Sequence, residues 1–103
     1  MPYTLVFDGV ILKQFKKAGK NMHIKNILKK MLDKIEANGP EAGEIVDPQL
    51  SIYEVKSMHP PIRLYFKHSL VANEIYVFEY EMKTSPQKQQ RTIDKLKAKI
   101  SKP

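Results

Sequence analysis

Residues 56–69 read KSMHPPIRLYFKHS, and within them Ile62, Leu64 and Phe66 alternate with Arg63, Tyr65 and Lys67. A period of two is the mark of a half-buried strand, with one face turned to the core and one to solvent. One face is apolar; the other carries two cations and a phenol. The preceding segment, residues 57–61, ends in Pro60-Pro61. Proline has no N–H to give to a sheet, so this segment is expected to be an unpaired link.

Residues 50–56 and 74–83 read as strands on either side of this one. In the first, Tyr53 and Val55 are expected to turn inward, with Ile52, Glu54 and Lys56 outward. In the second, alternation puts Tyr76, Phe78, Tyr80 and Met82 on one face and Glu79, Glu81 and Lys83 on the other. The outward faces of the three strands then form one shallow groove of cations, carboxylates and a phenol. Residues 69–73 are a second hairpin connection, and residues 41–49 read as an acidic loop.

The remainder is largely helical. Residues 3–7 (YTLVF) form a short first strand, and Asp8 is placed to cap a helix over residues 9–18. Gly19 and Asn21 provide turn chemistry, with Asn21 as the next cap. Ile24, Ile27, Leu28, Met31, Leu32 and Ile35 then repeat at helical spacing until Gly39-Pro40 stops the helix. Ser85-Pro86 opens a last helix carrying the stripe Ile93, Leu96, Ile100. This stripe is expected to pack into the core. The order is β-α-α-β-β-β-α, an α/β chain of the α+β type. An antiparallel sheet of about four strands has a helical hairpin on one face, all in one domain over residues 1–103.

The 103 residues include no Cys, and there is no apolar run long enough to cross a membrane. The start, MPYTLVFDGV, lacks the pattern of a signal peptide. A cytoplasmic location is the expectation, with no membrane partner. The net charge is +7, and it is unevenly spread. Eight lysines fall between Lys13 and Lys34, and seven cations between Lys83 and Lys102. Residues 35–55 have no Lys or Arg but hold Glu36, Glu41, Glu44, Asp47 and Glu54. Such asymmetry suits a polyanionic partner, nucleic acid first. Lys13, Lys16, Lys17, Lys20, Lys25, Lys29, Lys67, Lys88 and Arg91 are the candidate RNA-binding residues; the competing reading makes them solvated helix faces.

His23, His59 and His68 are scattered, and no ligand spacing or phosphate-cradling glycine loop stands out, so neither metal nor cofactor is expected. The groove suits different chemistry. Arg and Lys on a rigid sheet bind phosphate and stabilise charge developing on it. RNA brings its own nucleophile, the 2′-hydroxyl, so a protein can cleave it by positioning, electrostatics and proton transfer. Arg63 suits the electrostatic role, shared with Lys56, Lys67 or Lys83; Glu54, Tyr65 or Glu81 are candidates for handling protons.

From residue 50 onward, the runs LSIYEVKSMHPPIRLYFKHS and EIYVFEYEMKTSPQKQQRTIDKLKAKI resemble RelE/HigB-like toxins of bacterial toxin–antitoxin systems. The resemblance rests on a strand at 52–56, an arginine-bearing strand at 62–66, the segment at 82–86 and the helix around Ile93. It implies an endoribonuclease that cuts mRNA on the ribosome, held in check by a helix-turn-helix antitoxin. It also matches Arg63 to the family's catalytic-face arginine, and Lys56 and Lys83 to basic residues closing the neighbouring strands. Family pattern and strand parity select the same face. Met82 replaces the first lysine of the usual pair, and the carboxy-terminal Tyr or His that some members use for proton transfer is missing. Glu54, Tyr65 and Glu81 therefore stay open as general acid or base. A ParE-like gyrase inhibitor and a non-catalytic antitoxin-binding or nucleic-acid-binding relative are the alternatives.

Overall fold

The structure, a computed structural model, describes residues 2–69, 73–82 and 85–101. Strand β1 (Thr4–Phe7) leads into α1 (Gly9–Ala18) and α2 (Met22–Asn38), a 3-10 turn follows at Gly39–Ala42, and β2 is Glu44–Asp47. Then come β3 (Ile52–Met58), β4 (Pro61–His68), β5 (Glu74–Met82) and α3 (Pro86–Ser101). The sheet has five strands in the order β1-β5-β4-β3-β2. β1 lies parallel to β5, and the other pairings are antiparallel.

The helix starts follow the sequence. Asp8 accepts from Val10 N–H at 2.9 Å, and Asn21 from His23 and Ile24. Ser85 Oγ accepts from Lys88 N–H at 3.2 Å. Each side chain satisfies donors that the first helical turn leaves without partners. α2 ends at Gly39, where φ is +60° and the ring of Tyr3 fills the place a Cβ would take. Only glycine fits there, on both counts.

α1 and α2 cover one sheet face, as expected. Ile11, Leu28, Met31 and Ile35 pack there against Val55, Ile62, Leu64, Phe66, Ile75 and Val77. Gln14 closes a gap in this layer. β1 pairs with β5 only from residue 74 to 77. Further along, the Gln14 side-chain amide both donates to Tyr80 C=O and accepts from Tyr80 N–H, each at 2.9 Å. A side chain thus supplies the hydrogen bonds that an edge strand would give.

The structure corrects the sequence reading in four places. The acidic loop contains the 3-10 turn and β2, so the sheet has five strands and not four, with β1 parallel rather than antiparallel. β2 forms because β3 offers it an edge, with Glu44 opposite Glu54 and Ile45 opposite Tyr53. The proline link is also shorter than expected: β3 and β4 pair as far as Met58 and Pro61, leaving only His59-Pro60 as the turn. Pro61 is the first residue of its strand, where a missing N–H is tolerated.

The third correction is the parity of β5. Tyr65 lies opposite Glu79, but Phe66 lies opposite Val77, so Phe78 is an extra residue in a β-bulge. A bulge shifts the alternation by one. Tyr80 and Met82 therefore join Ile75 and Val77 on the helical-hairpin side. Phe78 faces the other way, with Glu79 and Glu81 beside it contacting α3.

The fourth is the groove itself. α3 lies across the outward face, and Leu96 joins Ile52, Tyr65 and Phe78 in a second buried cluster flanked by Ile93 and Ile100. The stripe Ile93, Leu96, Ile100 is core, as expected. Its site of burial is the face expected to be open. Lys95–Glu79, Lys97–Asp47 and Lys99–Asp8 ion pairs tie the helix down at 2.7, 3.2 and 3.2 Å.

Candidate functional site

Strand register arranges the candidate residues as a small array. Lys56 on β3, Arg63 on β4 and Glu81 on β5 are opposite one another in one row. Glu54, Tyr65 and Glu79 form the next. The contacts run diagonally across it. Arg63 Nη1 donates to Glu54 Oε1 at 2.7 Å, and the Tyr65 hydroxyl donates to Glu81 Oε2 at 3.0 Å.

Accessibility separates the members. The Arg63 side chain keeps 26% of its surface and Glu54 8%, so the pair opens to solvent on the arginine side. Lys56 is exposed. Tyr65 has no exposed surface, and Glu81 is buried with it. The Thr92 hydroxyl of α3 donates to the second oxygen of Glu81, and Lys95 donates to Glu79 Oε1 at 2.7 Å. Glu79 Oε2 is buried and has no hydrogen-bond partner among the described residues.

These surroundings fix what each group can do. Burial pushes the Tyr65 phenol well above its ordinary range, and the charge of Glu81 and its hydrogen bond add to the shift. Tyr65 is a protonated donor at neutral pH. Burial also raises Glu81, against the opposing pull of the Tyr65 hydrogen bond and the Lys88 charge. Both are held inside a closed Tyr65–Glu81–Thr92 network. Glu54 is different, because its carboxylate is paired with a solvent-facing arginine. An anion arriving at Arg63 would meet a guanidinium already oriented, and it would compete with Glu54 for it.

The other predicted residues are spread more widely. Lys67, four residues along β4, is half-buried and donates to Leu50 C=O at 3.0 Å. Lys83 lies outside the described residues. Lys13, Lys16, Lys17, Lys20, Lys25 and Lys29 are all exposed, but they belong to the α1–α2 layer on the opposite sheet face from Arg63. Lys88 and Arg91 are on α3, where with Thr92 and Lys95 they line a hollow of about 370 Å³ beside Glu81's partner. Two basic surfaces result, one on each face of the sheet.

Sequence reasoning missed Thr92 and Lys95, and it placed Glu79 on the groove face without giving it a role. A signal for Thr92 was present: it lies four residues before Leu96, on the buried face of α3. A polar residue on an otherwise apolar stripe calls for a buried polar partner. Among the described residues, no group of His, Asp and Glu could hold a metal ion. Nor is any described helix long and apolar enough to cross a membrane.

No family model matches the chain, and no curated protein matches it in sequence. Solved structures do resemble it. A free E. coli RelE toxin with two arginines replaced by alanine superposes with a TM-score of 0.69 and 21% identity, over 92% of this chain and 98% of that one. A chain of the intact E. coli RelBE toxin–antitoxin complex gives 0.61 and 22%, over 81% and 99%. A chain of the RelBE2 toxin–antitoxin complex of Mycobacterium tuberculosis gives 0.64 at 10% identity, over 82% and 95%. At these identities the likeness is one of architecture, and the chain has the RelE-like toxin fold.

Proposed function

We propose that this chain is the toxin of a bacterial toxin–antitoxin pair, an endoribonuclease acting in the cytoplasm on mRNA bound to the ribosome. The observation that carries the reading is the Lys56–Arg63 row with Glu54 bonded to Arg63 at 2.7 Å. The RelE-like fold supports the toxin class, and the RelBE complexes among its neighbours support an antitoxin partner; its helix-turn-helix type rests on the sequence resemblance alone.

The chemistry uses the substrate's own hydroxyl. A phosphate of the RNA takes Glu54's place at Arg63, which leaves the Glu54 carboxylate free as a general base. Glu54 removes the 2′-hydroxyl proton, the 2′ oxygen attacks phosphorus, and the bond to the 5′ oxygen breaks. Lys56 or Lys83 donates the proton that the leaving oxygen takes up, and the products are a 2′,3′-cyclic phosphate and a 5′-hydroxyl end. Arg63 stabilises the extra negative charge of the transition state, where a positioned cation acts most strongly. The exposed lysines of α1, α2 and α3 bind RNA backbone, with a corresponding dependence on salt.

Expression without antitoxin tests the class. The proposal expects growth arrest with cleaved messenger RNA. DNA damage with intact messenger RNA would instead favour the gyrase-inhibitor reading. No arrest from folded protein would favour a non-catalytic relative, a reading to which the burial of Tyr65 and Glu81 under α3 lends weight.

A further inference from the structure

β3 is open along part of its outer edge. β2 pairs with it only from Ile52 to Glu54, although β3 runs on to Met58. Beside the open part lies a cavity of about 310 Å³, lined by Lys34 of α2, Glu41 and Glu44 around the turn, and Glu54, Val55 and Lys56 of β3. Gly43 sets its width. A Cβ at this position would clash with the Glu54 carbonyl oxygen, so only a glycine lets the acidic turn approach β3 so closely.

The charges around this cavity are unusual. Lys34, Lys56, Glu41 and Glu44 face one small space with opposite signs, yet among the described residues none of them enters an ion pair. Their acids belong to residues 35–55, the stretch without Lys or Arg in a chain of net charge +7. Carboxylates on such a rim repel a bare phosphate chain. They become useful when the same ligand brings hydrogen-bond donors as well as anions. A nucleotide does both: phosphate oxygens for the lysines, and base N–H groups for the carboxylates. Carboxylates accept well from the amino group of cytosine. At about 310 Å³ the space is at the small end of ligand pockets, suited to one nucleotide. Glu54 in its wall is the partner of Arg63, so an occupant lies next to the proposed cleavage point.

We infer that this cavity is a base-reading subsite that seats the nucleotide beside the scissile phosphate and favours cytosine or adenine over uracil. The inference rests on the RNA-cleaving reading above. Glu41 and Glu44 accept from the exocyclic amino group; uracil presents its O4 there and meets a carboxylate with repulsion. Lys34 and Lys56 hold the flanking phosphates.

The test is fluorescence anisotropy with labelled hexanucleotides of cytidine or uridine, 2′-O-methylated so that neither can be cleaved. Wild-type protein is expected to bind the cytidine hexamer about tenfold more tightly. The Glu41→Gln/Glu44→Gln double variant is expected to bind both with no preference, since a glutamine amide can also donate to O4. Amide resonances of Gly43 and Val55 should shift on titration with the cytidine hexamer. Equal wild-type affinities, or a preference that persists in a folded double variant, overturn the subsite and leave the RNA reading standing. If wild-type protein binds neither hexamer, the subsite is overturned, while the RNA-cleaving reading is decided separately by cleavage of mRNA on the ribosome.

Discussion

Arg63 and Glu54 form a 2.7 Å ion pair diagonally between neighbouring strands, two register pairs apart, with the arginine 26% exposed and the glutamate only 8%. The asymmetry matters. The carboxylate is largely out of water, and the guanidinium is its bridge to solvent. The arginine is held in place by its partner before any phosphate arrives, so little side-chain freedom is left to lose on binding.

This relationship changes what removing Arg63 does. Arg63→Ala leaves the Glu54 carboxylate buried without this partner, so the variant is expected to lose about 1–3 kcal/mol of stability. Glu54→Ala and the double variant complete a cycle measured by urea unfolding. A coupling of about 1 kcal/mol or more is expected. If the two losses simply add, the pair contributes nothing to the native state and Arg63 is not pre-positioned by Glu54.

The buried carboxylates predict opposite responses to pH. Glu81 is raised above its ordinary value of 4.5, chiefly by burial, so the folded protein holds this proton more tightly than the unfolded chain. Its contribution to stability is full below 4.5 and is lost as pH rises through the folded value. Asp8 runs the other way. Burial pushes it up, but hydrogen bonds from Val10 N–H, Lys99 and Tyr76 outweigh that and lower it below 3.8. Its contribution is present above 3.8 and is lost as pH falls through the folded value. In urea titrations, Glu81→Gln should flatten the decline above pH 4.5, and Asp8→Asn the decline below 3.8. Unchanged profiles in both variants would contradict these assignments.

Gln14 gives a prediction far from the site. Its amide makes two 2.9 Å hydrogen bonds to the backbone of Tyr80, on a stretch of β5 that β1 does not reach. Gln14→Leu keeps the side chain's bulk and leaves both backbone groups without this partner, at a cost of about 2 kcal/mol. Hydrogen exchange at the Tyr80 amide should accelerate selectively. Exchange at the wild-type rate would show that the amide has another protector.

Local rules made much of this molecule legible. Asp8, Asn21 and Ser85 cap the helices because their side-chain oxygens accept from first-turn N–H groups that have no partner within the helix. The alternation of Ile62, Leu64 and Phe66 with Arg63 and Tyr65 gave the parity of β4, and hence the Lys56–Arg63 row. The failures have a common origin in tertiary pairing. Tyr76, Phe78, Tyr80 and Met82 alternate without a break in sequence, and only the register with β4 reveals Phe78 as a bulge. β2 is four residues long and exists through its pairing with β3. α3 displays its apolar stripe plainly. That it docks on the charged face follows from Glu79, Glu81, Asp8 and Asp47 meeting Lys95, Thr92, Lys99 and Lys97, and no local pattern encodes those distances.

The most direct test of the central claim is single-turnover cleavage of mRNA programmed on ribosomes, comparing wild-type protein with Arg63→Ala shown to be folded by circular dichroism. The account predicts cleavage by wild type to a 2′,3′-cyclic phosphate, no cleavage where the preceding sugar is 2′-deoxy, and a rate loss of about a hundredfold or more in the variant. Cleavage by Arg63→Ala at the wild-type rate, or cutting at a 2′-deoxy position, would contradict it.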